Sequence, residues 1–174
     1  GRAAMQNPTP AKLEKIAELD DGIDSLQDAI ARFSGKLRHS ELLPSDQNRL
    51  LNKLAISNHL EAIGDIVSEE LTDLLGRLLD ERSLPSIESR EQMAELFAIA
   101  EHCLKQSLTA FASDDAEAAK GVLARKAEFI EKMELTLRRI SDDIGPRDID
   151  IRRYRTEVAL VERINRIYER ARRI

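Results

Sequence analysis

Apolar residues recur along most of this chain in alternating steps of three and four, the signature of helices that bury one stripe. The most regular run is Ile16, Leu19, Ile23, Leu26, Ile30, Phe33 and Leu37. It predicts a first long helix over about residues 10–38, packed near-parallel to other long helices. Pro44-Ser45 interrupts the pattern and offers Ser45 as an N-cap. A second helix is then expected to run to about residue 81 through Ile56, Leu60, Ile63, Val67, Leu71, Leu74 and Leu78.

The stretch from Ser83 to Ser89, with Pro85, reads as a linker between two helical units. Beyond it, Ser89 and Gln92 have capping-box spacing ahead of a third stripe, Met93, Leu96, Phe97, Ala100, Leu104, Ser107 and Phe111. Ser113-Asp114-Asp115 with Glu117 opens a fourth helix through Val122, Ile130, Met133, Leu137 and Ile140, closed by Gly145-Pro146. A fifth helix follows from about residue 147, with Ile151, Val158, Val161, Ile164 and Tyr168 inward. The expectation is therefore an all-α, antiparallel bundle of about five long helices. Residues 1–9 are read as a linker or an appended scar, 10–82 as a first unit, 83–89 as a linker and 90–174 as a second, three-helix unit.

Composition agrees: seven Gly, five Pro and no Trp in 174 residues, with 34% charged side chains. Charge breaks every apolar run well short of the ~20 residues a membrane span requires. The lone Cys103 excludes an internal disulfide framework, favours a reducing compartment and reads as a small core residue. His39 and His102 read as surface or boundary positions, and no His or Cys pair has zinc-site spacing. The net charge of −5 is uneven, because residues 147–174 hold nine Arg against five Asp or Glu. That basic helix is either a solvated face or a dock for an acidic partner or anionic lipid. Acidity and scarce aromatics argue against nucleic-acid binding. No catalytic triad or phosphate loop is present, so no enzymatic role is expected. A ferritin-like di-metal enzyme would need Glu-x-x-His pairs, which the chain lacks.

Two acidic pairs stand out. Glu61 and Asp65 lie one turn apart on the second helix, where like charges at i,i+4 cost a few tenths of a kcal/mol. Asp20 and Asp24 repeat that spacing on the first helix. Between Glu61 and Asp65, Gly64 sits in a helix interior at a cost of about 1 kcal/mol relative to Ala, which points to the close approach of a neighbouring backbone or ligand. His59 points roughly 160° away from Glu61 around an ideal helix.

Asn58-His59-Leu60-Glu61-Ala62-Ile63-Gly64-Asp65, with Asp20-Asp21-Gly22-Ile23-Asp24, resembles the metal-cluster motifs of the PhoU family, the helical regulators of phosphate uptake, and of the PhoU-like domains of sodium/phosphate cotransporters. That family is built from two three-helix bundles, so the resemblance implies a first unit lacking its opening helix. It also implies a metal site at Asp20, Asp24, Glu61 and Asp65, suited to a hard or borderline cation such as iron, zinc, manganese or magnesium.

The two halves align as weak copies, Asp21–Leu26 with Glu128–Met133 and Leu60–Asp65 with Val161–Arg166. In the second copy Ala127 and Arg166 stand where the family has Asp, beside the retained Glu131 and Glu162. Arg166 is expected to pair with Glu162 one turn earlier, leaving at most one metal site. The function implied is a cytosolic regulatory domain at the membrane's cytoplasmic face. It would contact a phosphate transporter in the same chain or a separate one, with homodimerisation possible. The alternative is a metal-free structural or interaction bundle.

Overall fold

The computed structural model describes residues 1–38, 43–145 and 147–174. His39 and Pro146, both read above from sequence, lie outside the described residues. Of the described chain, 87% is helical and none is in strands, so the fold is an all-α bundle. Among the described residues there are six helical rods where about five were expected. The additional one is α1 (Arg2–Gln6), in the segment read as a linker. It buries Ala4 and Met5, and it packs against the third long rod. Its register was invisible because five residues span little more than one turn.

The first long rod comprises α2 (Pro10–Glu18) and α3 (Asp20–Arg38), which meet at Leu19. Thr9 caps α2 by accepting from the Lys12 amide, and Pro10 occupies the first helical position, where no donor is missed. The second rod is α4 (Pro44–Asp65), a π-turn over Ile66–Glu70, and α5 (Leu71–Asp80). Its N-cap is Leu43, with Pro44 as the first helical residue, so the expected Ser45 cap is displaced by the stronger preference of proline for that position.

The remaining rods are α6 (Ile87–Ser113), α7 (Ala116–Ala124) continued by α8 (Lys126–Asp142), and α9 (Asp148–Ala171). Ser86 caps α6 one turn earlier than the expected Ser89, accepting from the Ser89 amide at 3.1 Å. Ser89 is buried instead, and both serine hydroxyls donate to Asp143 at the end of α8. Asp115 caps α7 by accepting from the Glu117 and Ala118 amides, each at 3.0 Å. At the entry to α9, a Cβ on Gly145 would collide with the carboxylate of Asp150, which caps the helix with Arg147, so a larger residue there would have to displace that side chain.

The core gathers Ile63, Ile66, Leu71, Leu74, Leu75 and Leu78 of the second rod against Met93, Leu96 and Phe97 of α6 and Leu160, Val161, Ile164 and Ile167 of α9. Phe129 of α8 stacks on Tyr168 of α9 with ring centroids 3.8 Å apart. Full burial of each such aliphatic side chain is worth about 1.5–3 kcal/mol. Among the described residues α3 adds no hydrophobic side chain to this fully buried set. Instead, α3 and the first half of α4 form an antiparallel hairpin, with Asp20 and Ile23 against Gly64 at its base and Phe33 and Leu37 alongside Asp46 and Leu50 towards its tip. The sequence stripe of α3 is thus half-used: Leu19, Leu26 and Phe33 are each more than 60% exposed.

Candidate functional site: an acidic cluster between α3 and α4

At the base of that hairpin the two acidic pairs meet. Helical spacing puts Asp20 and Asp24 on one side of α3, and the antiparallel turn brings α4's last residue, Asp65, beside them. One carboxylate oxygen from each of Asp20, Asp24 and Asp65 lies within 4.8 Å of the others. Oxygens on opposite sides of a divalent cation, at metal–oxygen distances of about 2.1–2.4 Å, stand about 4.2–4.8 Å apart.

Gly64 makes this approach possible. A Cβ there would meet Asp20 Oδ1 at 3.2 Å and Ile23 Cδ1 at 3.3 Å. The helix-interior glycine, costly for α4 alone, is a place where α3 comes into tight contact and delivers Asp20.

Two observations fit a cation. Asp20 Oδ1 is buried and has no hydrogen-bond donor among the described residues, an arrangement that costs about 1–3 kcal/mol when nothing compensates it. Second, the cluster repels itself. Asp24 is held above the usual carboxylate range by lost hydration and then by the charges of Asp20 and Asp65. Glu61 is also raised, by lost hydration and then by Asp65 and Asp24, with Arg170 of α9 opposing. Three all-oxygen ligands suit a hard cation such as magnesium or manganese, or iron, better than a thiophilic one.

Glu61, the fourth expected ligand, is not part of the close group. It stands within electrostatic reach of both the triad and Arg170, a position sequence spacing alone does not specify. Directly after Asp65 the helix widens into the π-turn, where Ser68 Oγ donates to the Gly64 carbonyl at 3.0 Å and Thr72 Oγ1 donates to the Ser68 carbonyl. Such turns often mark functional positions in helices.

The second copy of the motif is arranged otherwise. Ala127, Glu131 and Glu162 are exposed. Arg166 does not pair with Glu162 as its spacing suggested. It reaches across to Glu70 at the end of the π-turn, at 2.7 Å, and Arg163 pairs with the same carboxylate. Glu162 is 3.7 Å from Arg163 and largely solvated. Burial raises the Glu70 pKa, but the Arg166 hydrogen bond and the two guanidinium charges outweigh it and hold the group below its ordinary range. An interhelical partner with two cations prevails over a local i,i+4 pair worth only a few tenths of a kcal/mol. Sequence reasoning missed Glu70, because Arg166 lies 96 residues away along the chain and meets it only in the folded bundle.

His59 stays away from the cluster, its basicity lowered by burial and by Arg170 and Arg173. Cys103 is buried, and burial pushes its thiol up, which suits a core residue. No helix is long and apolar enough to cross a membrane among the described residues. Compared with protein-family models, with curated proteins and with solved structures, the chain shows no match.

Proposed function

We propose that this chain is a PhoU-like regulatory domain that binds one metal ion at Asp20, Asp24 and Asp65, with Glu61 in support, and restrains a phosphate transporter through its helical surface. The observation that carries this reading is the junction of the two motif segments across α3 and α4, with the unpartnered Asp20 oxygen packed over Gly64. A bound cation would offset the mutual repulsion of the three carboxylates. The residues of the chain do the rest: Gly64 admits Asp20, the hairpin orients Asp24 towards Asp65, and Arg163 and Arg166 tie the π-turn to α9 through Glu70.

In this role the domain is non-enzymatic and acts at the cytoplasmic face of the membrane, whether joined to the transporter or separate from it. Phosphate uptake in the native host, measured with radiolabelled phosphate under phosphate-replete conditions, tests the reading. Replacement of the gene by an Asp24→Asn, Asp65→Asn version is expected to raise uptake severalfold. Uptake unchanged at equal protein abundance would contradict it.

A metal-free interaction bundle is the second reading, favoured by the exposed apolar side of α3. It predicts that the same double substitution leaves uptake unaltered.

A further inference from the structure

Far from the acidic cluster, α6 and α7 enclose a second space. Ile99 and Cys103, one turn apart on α6, line it together with Ala118 and Val122, one turn apart on α7. The α7 side is built of small residues: Gly121 stands between those two, and a Cβ on it would meet nothing within 4 Å. The result is a cavity of about 230 Å³. An apolar cavity of ~150 Å³ takes up benzene, so this one holds a single ring with a short substituent at each end.

The inner end of the cavity is Tyr168 of α9. Its ring is stacked on Phe129 and the residue is only 1% exposed, yet its hydroxyl is buried and has no hydrogen-bond partner among the described residues. Burial, and after it the charge of Cys103, raises the pKa of that hydroxyl, while Arg125 pulls the other way. Cys103 and Arg125 both line the cavity, which places the hydroxyl towards it. At the mouth, Arg125 stands exposed beside His102 and Gln106. Among the described residues that line the space, Arg125 carries the only fixed charge. Its one partner is Glu128 at 3.1 Å, a surface pair that solvent screens and an incoming anion can exchange.

We propose that this cavity binds a small aromatic carboxylate, with the carboxylate on the Arg125 guanidinium at the mouth and an oxygen at the far end of the ring on the Tyr168 hydroxyl. A guanidinium offers a carboxylate two parallel N–H donors. A cationic guest finds no carboxylate in the lining, and a wholly apolar one leaves the Tyr168 hydroxyl unpaired, which is costly for a buried group. Between the two polar ends the ring packs against Ile99 and Val122.

The probe is para-hydroxybenzoate, followed by titration calorimetry in chelator so that the acidic cluster plays no part. It should bind with a dissociation constant of roughly 0.1 mM, as suits so small a ligand. Benzoate and phenol, each lacking one polar end, should bind about tenfold more weakly. Tyr168→Phe keeps the stacked ring and removes the unpaired hydroxyl, so it should melt no lower than the parent while binding para-hydroxybenzoate about tenfold more weakly. Arg125→Gln should weaken the carboxylates and leave phenol unaffected. Gly121→Leu, at an exposed helical position, should fill the space and abolish binding with helical circular dichroism unchanged. No binding of para-hydroxybenzoate at millimolar concentration overturns the proposal. So does binding that Tyr168→Phe or Gly121→Leu leaves unaltered, or benzoate and phenol binding as tightly as para-hydroxybenzoate.

Discussion

Gly64 shows how a single residue can decide whether two helices may share a site. Alanine there would favour the isolated helix by about 1 kcal/mol. In the bundle its methyl would press on Asp20 Oδ1 and Ile23 Cδ1 at 3.2 and 3.3 Å, closer than ordinary contact. The two effects oppose, so Gly64→Ala is expected to change thermal stability little while weakening cation affinity by tenfold or more through displacement of Asp20. Calorimetric titration beside a melting curve separates them, and unchanged affinity would show that the approach of α3 is not what builds the site. This much was legible in sequence, because a glycine in the middle of a strong apolar stripe weakens its helix unless a neighbour must come close. The partner of Arg166 was not: spacing reports neighbours within one helix, and Glu70 arrives from another rod.

At the scale of elements, the entry to α9 is fastened by a partly buried polar network beside the apolar packing of Tyr154 and Val158. Ser86 and Ser89 donate to Asp143, and Arg153 donates to the Asp143 carbonyl while pairing with Glu157 at 3.3 Å and Asp150 at 3.8 Å. Burial pushes the Glu157 carboxyl up to about 7, against the pull of Arg153 and with the charge of Asp143 adding to the rise. A carboxyl with a folded pKa above its unfolded value of 4.5 holds its proton more tightly in the folded chain. Its contribution to stability is therefore greatest in acid and is lost as pH rises through about 7. Glu157→Gln should flatten the melting temperature between pH 5 and pH 8 and raise it at the alkaline end; melting curves parallel to the parent's would contradict this.

The same region shows where helix boundaries were misread. Ser89 has the spacing of a cap, but its hydroxyl is used by a side chain 54 residues away, and Ser86 takes the cap. Local signals locate a helix well; which of two serines ends it depends on packing that only the folded chain supplies. The stripe of α3 is the converse case. Its period fixed the helix, yet the bundle covers only part of that face, because α4 lies along one side of α3 while the later helices pack mainly against one another.

Over the whole molecule, the bundle separates a buried core on α5, α6 and α9 from a hairpin whose acidic base is electrostatically unfavourable by itself. Lost hydration first, and then the charges of neighbouring carboxylates, raise the Asp24 and Glu61 pKa values, and a cation between the carboxylates would offset that cost. Removing two of the charges should therefore raise the melting temperature of metal-free protein at neutral pH, while abolishing any stabilisation by metal. A cation at one hundred times its dissociation constant adds about 2.7 kcal/mol to the parent. That opposition in sign distinguishes a site from a merely acidic surface.

The most direct measurement is the metal content, by elemental mass spectrometry, of tag-free protein purified without chelator, set beside an Asp24→Asn, Asp65→Asn variant of equal helicity. The account predicts close to one equivalent of a hard cation in the parent and none in the variant. Metal absent from both after incubation with magnesium, manganese, iron and zinc, or retained equally by both, would contradict it.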